Sequence, residues 1–267
     1  MARTVILLAL LLAGCGTAEG AAPPAAVETL VFLSDGNRLT AIDVQSGRRV
    51  TRRIRSLPAC GAELFVTGGH IVFSAVVKGD TTVYSIPLSL DRRPRRLGTA
   101  HVFVPSAVDG RVWLAGTDCD GTAMDGVREV SVDGEVTFES HERVPGTWID
   151  GAVPEGLVVL DERESFVWDP RTGRTAEVSF DYDAVPSPDG SLVAVPVETH
   201  RRWSVELAGT PIRGSHTGRD YPELAWSASG RLFIRDGFRL LAYRPGGARA
   251  QRLPFRLPRS TMSFAAG

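Results

Sequence analysis

From residue 29 onward, no stretch free of both glycine and proline is longer than 13 residues, and the longest, Leu157 to Asp169, carries the turn-like "DERE" in its middle. That leaves little room for long helices. Valine, leucine and aromatic residues fall instead into short runs punctuated by turn residues, the pattern of many short strands in an all-β chain.

The runs recur. "LVFLSDGNRLTAIDVQSGRRV" from Leu30, "LVVLDERESFVWDPRTGRTAEV" from Leu157 and "RLFIRDGFRLLAYRPGGARAQRL" from Arg231 share one order of features: apolar strand, polar turn, alternating strand, glycine turn, strand. "QSG", "DPRTG" and "RPGG" occupy the same slot, where glycine supplies the positive φ of a tight hairpin. A further element precedes this unit. "FVPSAVDG" from Phe103, "AVPSPDG" from Ala184 and "LAWSASG" from Leu224 each start apolar, contain serine and close on glycine, with looser versions in "LFVTGG" and "WIDGAVPEG". The closing glycines are 69, 110, 156, 190 and 230. A four-stranded unit every ~40 residues is the spacing of β-propeller blades. Small twisted sheets set radially bury their faces on one another, which one such sheet cannot do alone. The runner-up, a sandwich, does not require that period.

The unit at Leu30 lacks an inner strand. The chain ends in "STMSFAAG", Ser260 to Gly267, which fits the missing slot. The sequence thus predicts a six-bladed β-propeller over 29–267, with the first blade closed by the carboxyl-terminal strand. "SPDG", Ser187 to Gly190, resembles the hairpin of WD-repeat and Tol-type propellers. "RLTAIDVQSGRRV", Arg38 to Val50, resembles the pyrroloquinoline-quinone-type repeat, which also occurs in lipoproteins that bind outer-membrane assembly machinery. The tryptophan of that quinone repeat is missing after the glycine turn, so no cofactor is expected.

Before the repeats stands an address. Arg3, an apolar run over residues 5–13 and then Gly14-Cys15 are the parts of a secretory signal. The run is shorter than the ~20 residues of a membrane-spanning helix. "LAGC", Leu12 to Cys15, resembles the lipobox of bacterial lipoproteins. That resemblance implies removal of a signal peptide, 1–14, and lipidation of Cys15. Two or more acyl chains anchor stably where one is marginal. Residues 15–28 are then a lipidated cysteine and a tether too poor in apolar bulk to pack. The expected address is the extracytoplasmic face of the cell membrane. Net charge is −1, which gives no argument for a nucleic-acid partner.

In a propeller the connections into each blade and the middle hairpins share one face. Cys60 and Cys119 fall there on adjacent blades, as either a disulfide or two free thiols. "GTDCDGTAMDG" brings Asp118, Asp120 and Asp125 together, but EF-hand spacing fails, and aspartates decorating a turn are the plainer reading, so no metal is expected. "FDYDA" with Asp181, Tyr182 and Asp183, "ETHRRW" with His200, Arg201 and Arg202, and "GRDYPE" with Arg219 and Tyr221 share that face. Arginine, tyrosine and tryptophan are the residues that anchor interfaces.

No HExxH, GxSxG, Walker or GxGxxG motif is present, and no catalytic residue is assigned. The expected function is a binding or scaffold module for a protein or cell-envelope ligand. The alternative is a lactonase-like or other hydrolase with a site in the channel. Lactonase-like sites hold metal with acidic and asparagine side chains, and Asn37 is the only asparagine here.

Overall fold

A computed structural model describes residues 28–34, 37–54, 64–77, 80–116, 125–161, 164–177, 184–215, 218–258 and 261–267. Cys15, Cys60, Asp118, Cys119, Asp120, Asp181, Tyr182 and Asp183 lie outside them.

The chain forms six four-stranded antiparallel sheets. Blade one begins with β1 (Thr29–Ser34), β2 (Arg38–Asp43) and β3 (Arg49–Arg53). Blade two is β4 (Leu64–Thr67), β5 (His70–Val77), β6 (Asp80–Pro87) and β7 (Arg95–Thr99). Blade three is β8 (Val102–Pro105), β9 (Arg111–Ala115), β10 (Asp125–Ser131) and β11 (Val136–Arg143). Blade four is β12 (Trp148–Val153), β13 (Gly156–Asp161), β14 (Glu164–Trp168) and β15 (Thr175–Glu177). Blade five is β16 (Val185–Pro186), β17 (Val193–Thr199), β18 (Arg202–Leu207) and β19 (Thr210–Pro211). Blade six is β20 (Glu223–Trp226), β21 (Leu232–Asp236), β22 (Arg239–Tyr243) and β23 (Gln251–Arg252).

The last strand, β24 (Thr261–Ala266), joins the edge of β1 and becomes the inner strand of blade one. Phe32 lies opposite Phe264 and Leu30 opposite Ala266, while the Thr29 and Gly267 backbones exchange two 2.9 Å hydrogen bonds. The first and last strands of the described residues therefore share one sheet, as the repeat count predicts. A closed ring of this kind leaves only short outer edges unpaired.

Cores sit between blades. Phe32, Phe233 and Phe264 fill the space between blades six and one, and Leu33, Ile71, Phe73 and Ile86 that between one and two. Trp113, Ile149, Leu157 and Trp168 join blades three and four, and Trp226 with Leu232 and Ile234 joins five and six. Tryptophans thus act mainly as wedges between sheets, each large ring removing much apolar area from water.

Alternation of the strands sorts the connections into two faces. The lower face holds the turns between first and second strands and those between third and fourth. The upper face holds the middle hairpins and the crossings between blades. Carboxylates stitch the lower face together. Glu129, 1% exposed, accepts hydrogen bonds from Ser106 (2.7 Å), Thr137 (2.9 Å), Arg111 (3.1 Å) and, from blade four, Arg171 (3.0 Å). The Arg171 guanidinium also lies over Trp113 and Phe138. Glu28 does the same between blades six and one, taking Ser229 at 2.6 Å and Arg231 at 2.7 Å. The sequence assigns Glu28 to the tether; in the fold it is buried and belongs to the body. Between blades two and three, Asp109 accepts from the Gly68 amide and the Thr67 hydroxyl. A Cβ on Gly68 would stand 2.5 Å from the Gly110 Cα, so this close approach of two lower-face turns requires glycine.

Candidate functional site

Of the described residues that the sequence singles out, all but Asp125 lie on the upper face over blades five and six. Thr199 pairs with Arg202 across β17 and β18, so His200 and Arg201 form a two-residue hairpin tip. Both have positive φ, 52° and 63°. Right-handed strand twist favours this turn type, but it suits Asn-Gly, and bulky residues there are strained by roughly 1–2 kcal/mol each. The strain falls on two exposed residues, one of them a permanent cation.

The hairpin is braced. The Trp203 amide donates to the Gly218 carbonyl at 2.8 Å, an isolated bridge to the crossing between blades five and six. The Trp203 ring meets Tyr221 edge-on, centroids 4.8 Å apart. Arg219 and Asp220 on the same crossing are exposed. A methyl group on Gly237, in the β21–β22 turn, would lie 3.9 Å from the Asp220 carboxylate, which sets the middle turn of blade six beside this crossing. The next residue, Phe238, is 44% exposed and Tyr221 is 45% exposed. Among the described residues the large apolar side chains with comparable exposure are Val50, Val108 and Val136, so both exposed aromatics stand over blades five and six.

The channel mouth is built from the upper ends of the inner strands: Leu64, Val102, Trp148, Val185, Glu223 and Thr261. The inner strands read "LFVT", "VFVP", "WIDGAV", "VP", "ELAW" and "TMSFAA", with Asp150 and Glu223 as their ionisable residues. Glu223 pairs with Arg235 at 2.6 Å, and Arg235 donates onward to the Thr261 carbonyl. Beside Trp148 lies His101, 8% exposed, its ring edge-on to the indole at 5.6 Å. Its Nδ1 is buried without a hydrogen-bond partner. Asn37, on the upper turn of blade one, likewise has a buried Oδ1 without a partner and a φ of 64°. Among the described residues no three His, Cys, Asp or Glu side chains are grouped to hold a metal ion.

The structure therefore brings together His200, Arg201, Arg202, Arg219 and Tyr221. Asp125 is exposed at the start of β10, opposite Arg143 on blade three, apart from that group. Sequence reading missed Phe238, because "RDGFR" reads as a plain turn, and missed the buried Glu28 and Glu129. Aspartates at lower-face turns are held below the usual carboxylate range by their own turns. The Ser46 amide does this for Asp43, the Thr172 hydroxyl for Asp169 and the Ser187 hydroxyl for Asp189.

No family model and no curated protein matches the sequence. Solved structures do resemble the fold. TolB from Acinetobacter baumannii is 13% identical with a TM-score of 0.59, over 90% of this chain and 66% of that one. A protein of unknown function from Bacteroides caccae is 14% identical with a TM-score of 0.49, over 90% of this chain and 99% of that one. Apo AztD from Citrobacter koseri is 10% identical with a TM-score of 0.43, over 90% of this chain and 98% of that one. At such identity the TolB likeness speaks for the β-propeller fold alone.

Proposed function

We propose that this chain is an extracytoplasmic lipoprotein, anchored through Cys15, whose propeller binds a protein partner with the upper face of blades five and six. One observation carries the reading. Two exposed aromatics, Tyr221 and Phe238, stand with His200, Arg201 and Arg219 around a hairpin tip whose backbone is strained. Exposed Tyr, Phe and Arg side chains on a braced scaffold are what an interface core uses. Local strain persists where the surroundings over-determine it, and such sites concentrate at functional surfaces. The arginines favour a partner segment bearing carboxylates, with apolar groups to cover the rings. The second reading, a hydrolase working at the channel mouth, has the buried, partnerless Nδ1 of His101 in its favour.

The strain supplies the test. Replacing His200-Arg201 by Asn-Gly gives the turn its preferred residues. Stability should rise by about 1 kcal/mol, or ~2–4 °C in Tm for a chain of this size. Partner capture in membranes by chemical crosslinking should fall about tenfold or more, since a central arginine is lost. A Tm that falls, or capture that is unchanged, contradicts the proposal.

A further inference from the structure

The point where the chain enters the body fixes which face looks back along the tether. β24 runs from the upper face to the lower, and β1 runs antiparallel to it, so Thr29 begins at the lower face beside Gly267. Glu28 is clamped there by Ser229 and Arg231, between blades six and one. From Cys15 to Glu28 the chain can reach roughly 45 Å at most, by full extension of every residue. That length lets the body either stand off or lie down, and charge decides between them.

Charge on the lower face is polarised about this entry point. Hairpin β2–β3 presents exposed Arg48 and Arg49, and hairpin β6–β7 presents Arg92, Arg93, Arg95 and Arg96. Hairpin β22–β23 adds Arg244 and Arg249 on blade six. The acids within these hairpins are Asp43 and Asp91, and the Asp43 carboxylate already accepts the Gln45 and Ser46 amides of its own turn. Among the described residues none of these eight arginines forms a salt bridge. Blades three and five carry acid at their lower turns, with exposed Asp109, Asp133, Glu135 and Asp189, while on blade four Glu155 and Asp169 stand with exposed Arg171 and Arg174 and leave little net charge. The basic arc thus spans three adjacent blades, six, one and two, with the tether leaving near its middle. On blade six the arc contains a cleft of about 450 Å³ lined by Arg231, Arg244, Arg249 and Gln251. Arg231 is bound to Glu28, which leaves Arg244 and Arg249 to meet an anion there.

We infer that the body docks on an anionic bilayer through this arc, phosphate headgroups meeting the arginines of blades six, one and two. The inference rests on the reading of the chain as a lipoprotein for its membrane address, while the arc stands on the fold. Each arginine held near an anionic surface adds to the attraction, and the effect fades within a Debye length, so contact rather than distance matters. With the lower face on lipid, the upper face of blades five and six is turned away from it, free for a protein.

The experiment takes the full chain as isolated from its membrane and adds vesicles of phosphatidylcholine alone or with phosphatidylglycerol. Mass spectrometry of the amino-terminal peptide reports whether Cys15 is acylated, which tests the anchor by itself. Amide hydrogen exchange reports the arc in either case. Exchange in 44–49, 88–96 and 244–249 should slow on the anionic vesicles only, and the slowing should vanish at 0.5 M salt, where screening is within a few ångströms. Residues 199–202 should exchange alike on both. The variant Arg48→Gln, Arg49→Gln, Arg92→Gln, Arg93→Gln should lose that protection, with affinity for anionic vesicles weakened about 100-fold or more. Equal exchange on both vesicles, or protection that appears at 199–202 instead, overturns the inference. So does a quadruple variant that retains full protection.

Discussion

Removing residues 260–267 should abolish a cooperative native melt, or lower Tm by more than about 10 °C, because the segment completes a sheet and also closes the ring. β24 gives β1 its inner neighbour and places Phe264 against Phe32 and Phe233. Burying one phenylalanine is worth about 1.5–3 kcal/mol, and the β1 edge also loses its ladder of hydrogen bonds. The loss approaches the ~5–15 kcal/mol that separates folded from unfolded chains. The gentler Phe264→Ala should cost about 3–5 kcal/mol and leave a folded protein. Thermal melts by circular dichroism check both. A truncated chain melting within 2–3 °C of the parent would mean that the ring does not need its last strand, since such a shift is only ~1 kcal/mol here.

The second large effect lies at Glu129. Burial pushes its carboxyl up, but hydrogen bonds from Ser106, Thr137 and Arg111 and the charge of Arg171 outweigh burial, so its pKa sits below the ordinary 4.5. A carboxylate with a depressed folded pKa stabilises fully above its ordinary pKa. That contribution is lost as pH falls through the folded value. Glu129→Gln should therefore destabilise by about 2 kcal/mol at pH 7. This is below the ~3–5 kcal/mol for a fully buried broken pair, because Arg111 and Arg171 are partly solvated and can rehydrate. The gap between parent and variant should stay constant from pH 7 to about 5 and narrow below pH ~4.5. Urea denaturation across that range measures it. A gap independent of pH down to 3 would show that the charge contributes nothing.

The architecture was legible because its cause is periodic. Ser187, Ser227 and their counterparts recur before a closing glycine, and a repeated sheet has few ways to hide both faces. Blade five shows why boundaries were harder. Its two edge strands, the inner Val185–Pro186 and the outer Thr210–Pro211, are two residues each, and prolines within them weaken any strand signal. The loops of the upper face could be assigned by connectivity, so His200 and Tyr221 were expected on one side. Their contact through Trp203 and Gly218 was not readable, since it joins residues from two separate segments. Glu129 was hidden for another reason. In "VREVSV" it sits where alternation allows a solvated side chain, and its partners come from other strands, Arg171 from 42 residues away on another blade. The meaning of the arginine clusters at 48–55 and 92–96 also waited on three dimensions. As sequence, such clusters are most often solvated outer-strand faces; in the ring Arg48, Arg49, Arg92, Arg93, Arg95 and Arg96 flank the entry of the chain.

Everything proposed turns on a division of labour between faces: the lower one holds the ring and meets lipid, the upper one meets protein. A photo-crosslinking amino acid placed at position 201, and in a separate chain at position 93, tests this in native membranes. Light should join position 201 to a protein and position 93 to lipid. Lipid adducts at 201 with protein adducts at 93 would turn the molecule upside down and end this reading of it.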